Sequence, residues 1–227
     1  MKKDIGGIET EIIVKKVKNI SIKVKENGEV VLTVPKNRSI AEAERFFLSK
    51  LNWIIRHKNE SSDFARCEVC DNGRIFLFGE EVTLKFTESS NNAAFLNGDK
   101  VYVFFNGKKL PKKIFEEYLK IELNKKLKET FEKWEKITGL YSSSVSIRKT
   151  TSKWGSCTPK TKRIRMSLYL ACLPLPCAEY VTLHELLHLK YPDHGKGFHN
   201  ALDYYMPQWK KIRKFMRENG GRMRIVL

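Results

Sequence analysis

The stretch "YVTLHELLHLKYPDHGKGFH", Tyr180 to His199, holds four of the five histidines in the chain, the fifth being His57. From Ala178 to Lys190 the pattern "AEYVTLHELLHLK" is helical, with Pro176 tolerated near the first turn and Pro192 forbidding continuation. Four residues advance a helix by roughly 400° and about 6 Å, so the imidazoles of His184 and His188 leave one face and can converge on an ion. That spacing fits zinc, which takes tetrahedral nitrogen, sulfur or oxygen ligands and at a catalytic site keeps one position for water. Past Tyr191-Pro192 the chain presents His194, with Gly195 and Gly197 permitting a sharp path back beneath the helix face. His194 is the expected third ligand. Glu185 projects about 100° from His184, bordering the site without ligating, where it can accept a proton from water and return it to a leaving amine. The expected cofactor is one catalytic zinc ion, although three imidazoles also accept nickel, cobalt and iron.

Outward from this segment, the first third of the chain alternates apolar and polar residues in "EIIVKKVKNISIKVKENGEVVLTVP", around the turn signal Glu26-Asn27-Gly28. It reads as a β-meander ending at Pro35. Ser39 then caps a helical pattern, "IAEAERFFLSKLNWIIRHK", with Ile40, Ala43, Phe46, Phe47, Leu51, Ile54 and Ile55 as one apolar stripe. Strands resume in "GRIFLFGEEVTLKF" and "AAFLNGDKVYVFF", and the longest helix runs from about Lys112 to Lys136, stopped by Gly139. Two short strands, "SSVSIRKT" and "RIRMSLYL", flank "SKWGSCTPKTK", which has the composition of a loop. No internal repeat is visible. The expected fold class is α+β, with an N-terminal meander-plus-helix region over residues 1–106 and a metal-dependent hydrolase domain over residues 107–227.

With 41% hydrophobic and 11% aromatic residues the chain is too apolar for disorder, and no apolar run approaches a membrane span. The N-terminus lacks the continuous apolar stretch of a secretory signal, so a cytoplasmic location is expected. The cysteine set, Cys67, Cys70, Cys157, Cys172 and Cys177, is odd and does not resemble a disulfide framework. Cys67 and Cys70 have half the spacing of a structural zinc site, whose other half, Cys172 and Cys177, is loosely spaced. Ser156 and Cys157 of "WGSC" lack a base to activate them as nucleophiles, because the clustered histidines are better used on metal. Met206 reads as core packing.

The run "SKWGSC" (152–157), "IRMSLYL", "YVTLHELLHLKYPDHGKGFH" and "MPQWKKIRKFM", with "SIKVKENGEVVLTVP" and "LNWII" upstream, resembles the YgjP-like metallopeptidase-domain family, relatives of the SprT-like and WLM zincins. The resemblance implies a zincin-type fold with His184, His188 and His194 as ligands and Glu185 catalytic. It also places Trp154 and Gly155 near the active site. Where the family usually has an aromatic after the Phe of "HxxxF", this chain has His199, either a proton donor at the site or a partly exposed replacement, with no carboxylate placed by sequence to orient it. Arg165, Tyr169 and His199 are candidates for a transition-state donor. The strand "RIRMSLYL" can be the sheet edge to which a peptide adds, or an interior strand.

The leading expectation is a zinc metallopeptidase acting on peptides, proteins or an anionic small molecule. A basic cleft beside a metal also suits hydrolysis of a nucleoside triphosphate phosphoanhydride. The net charge of +17, with Lys210, Lys211, Arg213, Lys214 and Arg217 close together, admits a nucleic-acid-associated, SprT-like protease. A closed structural zinc without turnover is the remaining possibility, and it would need a fourth protein ligand.

Overall fold

The computed structural model describes residues 1–25, 28–55 and 67–226. His57, the end of the first helical pattern, and Glu26 and Asn27 of the turn signal lie outside them. The chain forms two compact units, Met1–Ala65 and Arg66–Leu227. This division lies earlier than the 106/107 boundary read from the sequence. The reason is packing: Val69, Ile75, Leu84, Val101 and Val103 are buried in one core with Phe115, Leu119 and Leu123 of the long helix, so the strands before that helix belong with it.

In the first unit, β1 (Lys2–Asp4), β2 (Glu9–Lys15), β3 (Ser21–Val24) and β4 (Val30–Pro35) form a sheet in the order β1-β2-β4-β3. The fold class is α+β, but this is not a simple meander: β4 pairs parallel with β2 and antiparallel with β3. Burial accounts for the order. Val30, Val31, Leu32 and Val34 are all buried, as suits a central strand, whereas β3 alternates exposed and half-buried and takes the edge. Helix α1 (Ile40–Ser49) begins at Ser39, whose side chain accepts from the Glu42 N–H at 3.1 Å, and residues 51–55 are again helical. Ala43, Phe47 and Ile54 reach the core of this unit, while Phe46 and Ile55 of the expected stripe are exposed.

The second unit opens with β5 (Cys67–Glu68), then β6 (Arg74–Leu77), β7 (Glu80–Glu88), β8 (Ala93–Asn97) and β9 (Lys100–Phe105). The last four are ordered β6-β7-β9-β8, two antiparallel hairpins joined by a parallel β7–β9 pair. This repeats the strand order of the first unit, and each sheet is followed by a helix. A topological repeat is thus present that the sequence does not display, because pairing order is conserved here without similar residues. Helix α2 (Pro111–Thr138) ends where Gly139 adopts φ 68°, and packs on β9 and on helix α3 (Leu175–Leu187).

Between α2 and α3 lies a three-stranded sheet of β10 (Ser144–Arg148), β11 (Gly155–Thr158) and β12 (Arg163–Ser167), ordered β10-β12-β11. The "WGSC" segment expected as loop is therefore partly a strand, antiparallel to β12. Consequently β12 is central, and β10 and β11 are the edges. Helices α4 (Lys196–Tyr205) and α5 (Trp209–Asn219) follow, and β13 (Ile225–Val226) pairs with β5.

The β6–β7 turn braces the start of α3. Phe78 (φ 50°) and Gly79 (φ 93°) form its two central residues, and the Phe78 N–H donates to the Ala171 carbonyl at 2.7 Å. A Cβ on Gly79 would lie 2.8 Å from Pro174 Cγ and 3.1 Å from its Cα, immediately before α3. Gly79→Ala is expected to lower stability by about 2 kcal/mol, combining left-handed strain with a clash against a rigid ring. Urea denaturation of both proteins measures it.

Candidate metal centre

Helix α3 is apolar almost all round and buried along most of its length, so its polar side chains are carried into the interior. His184 lies in its last turn and His188 is its C-cap, in right-handed helical conformation at φ −64°, ψ −15°. The Tyr191 N–H donates to the Leu187 carbonyl, and His188 Nδ1 lies 3.0 Å from the Tyr191 carbonyl oxygen. A carbonyl only accepts, so Nδ1 carries the proton and His188 Nε2 offers a lone pair inward.

The return loop brings His194 to the same point. Asp193 Oδ1 accepts from the Gly195 N–H at 3.0 Å, an Asx turn that opens α4. Neither Gly195 nor Gly197 has positive φ. Gly197 is needed for space instead, since a Cβ there would lie 3.1 Å from the Tyr191 ring.

The Nε2 atom of His184 lies 3.2 Å from that of His188 and 3.1 Å from that of His194. All three ligand atoms fall within 4.8 Å of one another. Zinc–nitrogen bonds of about 2.0–2.1 Å at tetrahedral angles require nitrogens roughly 3.3 Å apart, so the cluster fits a divalent cation. Burial, then the neighbouring imidazoles of His188 and His194, pushes His184 down to about 3, leaving the ring neutral as a metal ligand must be. Beneath them Phe198, buried from solvent, has its ring centroid 4.8–4.9 Å from each of the three imidazoles. It forms a floor that fixes their spacing.

Glu185 is only 5% exposed. Burial raises its carboxyl to about 7, with Lys153 and the Cys157 backbone N–H acting in the opposite direction. The carboxylate reaches this position because β11 approaches at a glycine: a Cβ on Gly155 would lie 2.7 Å from Glu185 Cγ and Oε1 and 2.8 Å from Val181 Cγ1. Two cavities meet at Tyr180, His184 and Arg213. One, of about 460 Å³, is bordered by Trp154, Gly155, Glu185 and Met216; the other, of about 330 Å³, by His194, His199 and Trp209.

Residues 18–219 match the YgjP-like, metallopeptidase domain family. The chain belongs to that family. It is also similar to two solved metallopeptidase zymogens. For jannalysin of Methanocaldococcus jannaschii the identity is 24%, over 41% of this chain and 88% of that one, with a TM-score of 0.38. For abylysin of Pyrococcus abyssi it is 22%, over 44% and 99%, with a TM-score of 0.38. None of the curated proteins matches the chain. As a YgjP-like metallopeptidase the protein is a metal-dependent hydrolase, and among the described residues no helix is long and apolar enough to cross a membrane.

Other residues singled out in the sequence are distributed around this YgjP-like site. Trp154 borders the larger cavity, wedged against Gly220, where a Cβ would lie 2.5 Å from its Cζ2. His199 borders the smaller one, with Nδ1 3.2 Å from the Gly195 carbonyl oxygen. Asp203, a carboxylate one turn further along α4, is held below the usual carboxylate range by the hydrogen bond from the Trp209 Nε1–H and then by Lys210. Arg165 is exposed and pairs with Ser156, on the sheet face opposite Gly155 and Met166. Tyr169 is buried in a 3-10 turn with the Arg224 guanidinium 5.3 Å from its ring, and lines neither cavity.

Burial, followed by the Glu185 charge, pushes the Cys157 thiol up to about 11, which makes it a poor nucleophile. Cys172 and Cys177 are buried in the core, as is Met206, while the Cys67 side chain lies outside the described residues. Tyr180 was not anticipated: its ring stacks on Trp209 at 6.3 Å and meets His184 edge-on at 5.8 Å. Its position four residues before His184 on the same helix was the available signal.

Gly155→Ala is expected to lower stability by about 2 kcal/mol, because the new methyl must displace Glu185 and Val181. In a Glu185→Ala background the cost is expected to shrink by about 1 kcal/mol, with Val181 accounting for what is left. Thermal or urea unfolding of the four proteins in the cycle, stripped of metal, reads this coupling directly.

Proposed function

We propose that the protein is a zinc metallopeptidase in which His184, His188 and His194 hold the metal and Glu185 is the general base and then the general acid. The observation that carries this reading is the convergence of three imidazole nitrogens beside a buried carboxylate. Zinc at these nitrogens supplies Lewis acidity to a peptide carbonyl and makes a water easier to deprotonate. Glu185 accepts the proton from the water as its oxygen bonds to the carbonyl carbon. The same carboxyl then delivers that proton to the amide nitrogen as the carbon–nitrogen bond breaks, leaving a carboxylic acid and an amine. A carboxyl raised to about 7 by burial is matched to both transfers. Phe198 keeps the imidazoles in register, and Gly155 leaves room for Glu185 to face the reacting atoms.

The edge strand β11 lies beside Glu185, which suits an extended peptide pairing as a further strand. The comparisons lend no support to a nucleic-acid partner. Lys210 of the basic helix is paired with Asp203 at 3.1 Å.

Protein purified without added metal is expected to hold about one equivalent of zinc by mass spectrometry. His188→Ala is expected to lose it, and Glu185→Gln to retain it while kcat on peptides falls by about 100-fold or more. Metal retained in full by His188→Ala, or phosphate release from nucleotides with no peptide cleavage, overturns the reading.

A further inference from the structure

Arg213 is the residue shared by both cavities that carries a fixed positive charge. It lies on α5, which packs against α3. Its guanidinium carbon is 5.9 Å from the centre of the Trp209 ring, and that ring stacks on Tyr180 with planes 8° apart. Trp209 is itself anchored, its Nε1–H donating to Asp203 Oδ1 at 2.8 Å. The guanidinium thus lies over an anchored aromatic platform.

Among the described residues no carboxylate forms an ion pair with Arg213. Glu185, across the larger cavity, is influenced by Lys153 instead. Arg217, one turn along α5, borders the larger cavity as well and has a distant, exposed contact of 3.9 Å to Glu218. Arg213 and Arg217, both exposed, therefore line a cavity of about 460 Å³ that also borders the expected metal ligand His184. A planar fork of donors on a fixed support matches a carboxylate, which it can engage through two parallel hydrogen bonds.

We propose that Arg213, supported by Arg217, binds a carboxylate of the peptide substrate, so that the protein selects peptides bearing an acidic side chain or a free C-terminus beside the scissile bond. This rests on the peptidase reading above. Arg213 is a binding residue, and the proposal assigns it no proton transfer.

The test uses zinc-loaded Glu185→Gln protein, which binds without turnover, and follows tryptophan fluorescence, because Trp154 and Trp209 border the cavities. The probes are N-acetylated pentapeptides, Ala-Ala-Phe-Glu-Ala and Ala-Ala-Phe-Gln-Ala, each with a free or an amidated C-terminus. A carboxylate-bearing probe is expected to bind about tenfold tighter than the neutral amidated glutamine peptide. The amidated glutamate peptide and the free-acid glutamine peptide separate a side-chain from a terminal carboxylate. Arg213→Ala is expected to abolish the preference, Arg213→Lys to restore it in part, and Lys214→Ala on the same helix to leave it in place.

Equal binding of all four peptides, binding of none, or a preference that survives Arg213→Ala overturns the proposal. So does displacement of the acidic peptide by inorganic phosphate at lower concentration than by acetate, which would mark a phosphate site. Zinc content and peptide cleavage by the unsubstituted protein are measured alongside. Zinc binding and cleavage without charge preference remove this inference alone, whereas preferential binding without cleavage removes the peptidase reading and leaves the carboxylate site standing.

Discussion

A carboxylate and an imidazole are taken into the interior on one short, apolar helix, and the rest of the site answers to that burial. Glu185 and His184 would not be placed there by their own solvation, since desolvation penalises the charged form of each. They are held because the surrounding residues of α3 bury apolar surface on nearly every side. The consequence is chemical as well as structural. The same burial that raises the carboxyl keeps the imidazole neutral, which are the states a base near neutral pH and a metal ligand require.

Close approach is the second requirement. Edge strand β11 reaches Glu185 only because residue 155 has no side chain, and its Cys157 N–H gives the carboxylate a partner there. On the other side Phe198 touches all three imidazoles, and the Tyr191 carbonyl sets the tautomer of His188. His184 Nε2 lies 3.2 Å from His188 Nε2 and 3.1 Å from His194 Nε2, and lone pairs facing one another at such distances repel unless something positive lies between them. Their arrangement thus suits a metal ion.

The sheet before α2 serves this centre from a distance. Its β6–β7 turn lies against Pro174, and its strands share a core with α2, which in turn packs on α3. Dividing the chain after β9 would separate residues that are buried together. The first unit has the same strand order around its own core, so one arrangement of two hairpins and a helix occurs twice in a single chain.

The sequence by itself determined what depends on neighbours along the chain. The four-residue spacing of His184 and His188, the Ser39 cap, the Gly139 stop and the strand content of β6 to β9 are local consequences of residue type, and each was legible, whereas the helix of the histidines ends at Leu187, ahead of the expected Lys190. The convergence of His194 was legible in outline because its loop is short. Strand order, the identity of the edge strand, the steric role of Gly155 and the grouping of Tyr180, Trp209 and Arg213 depend on segments far apart in sequence. No periodicity records which strand lies beside which, and a glycine in a polar stretch reads as loop until something is seen packed against it. Those features were decided by tertiary structure, because only close packing of distant segments brings their side chains within contact.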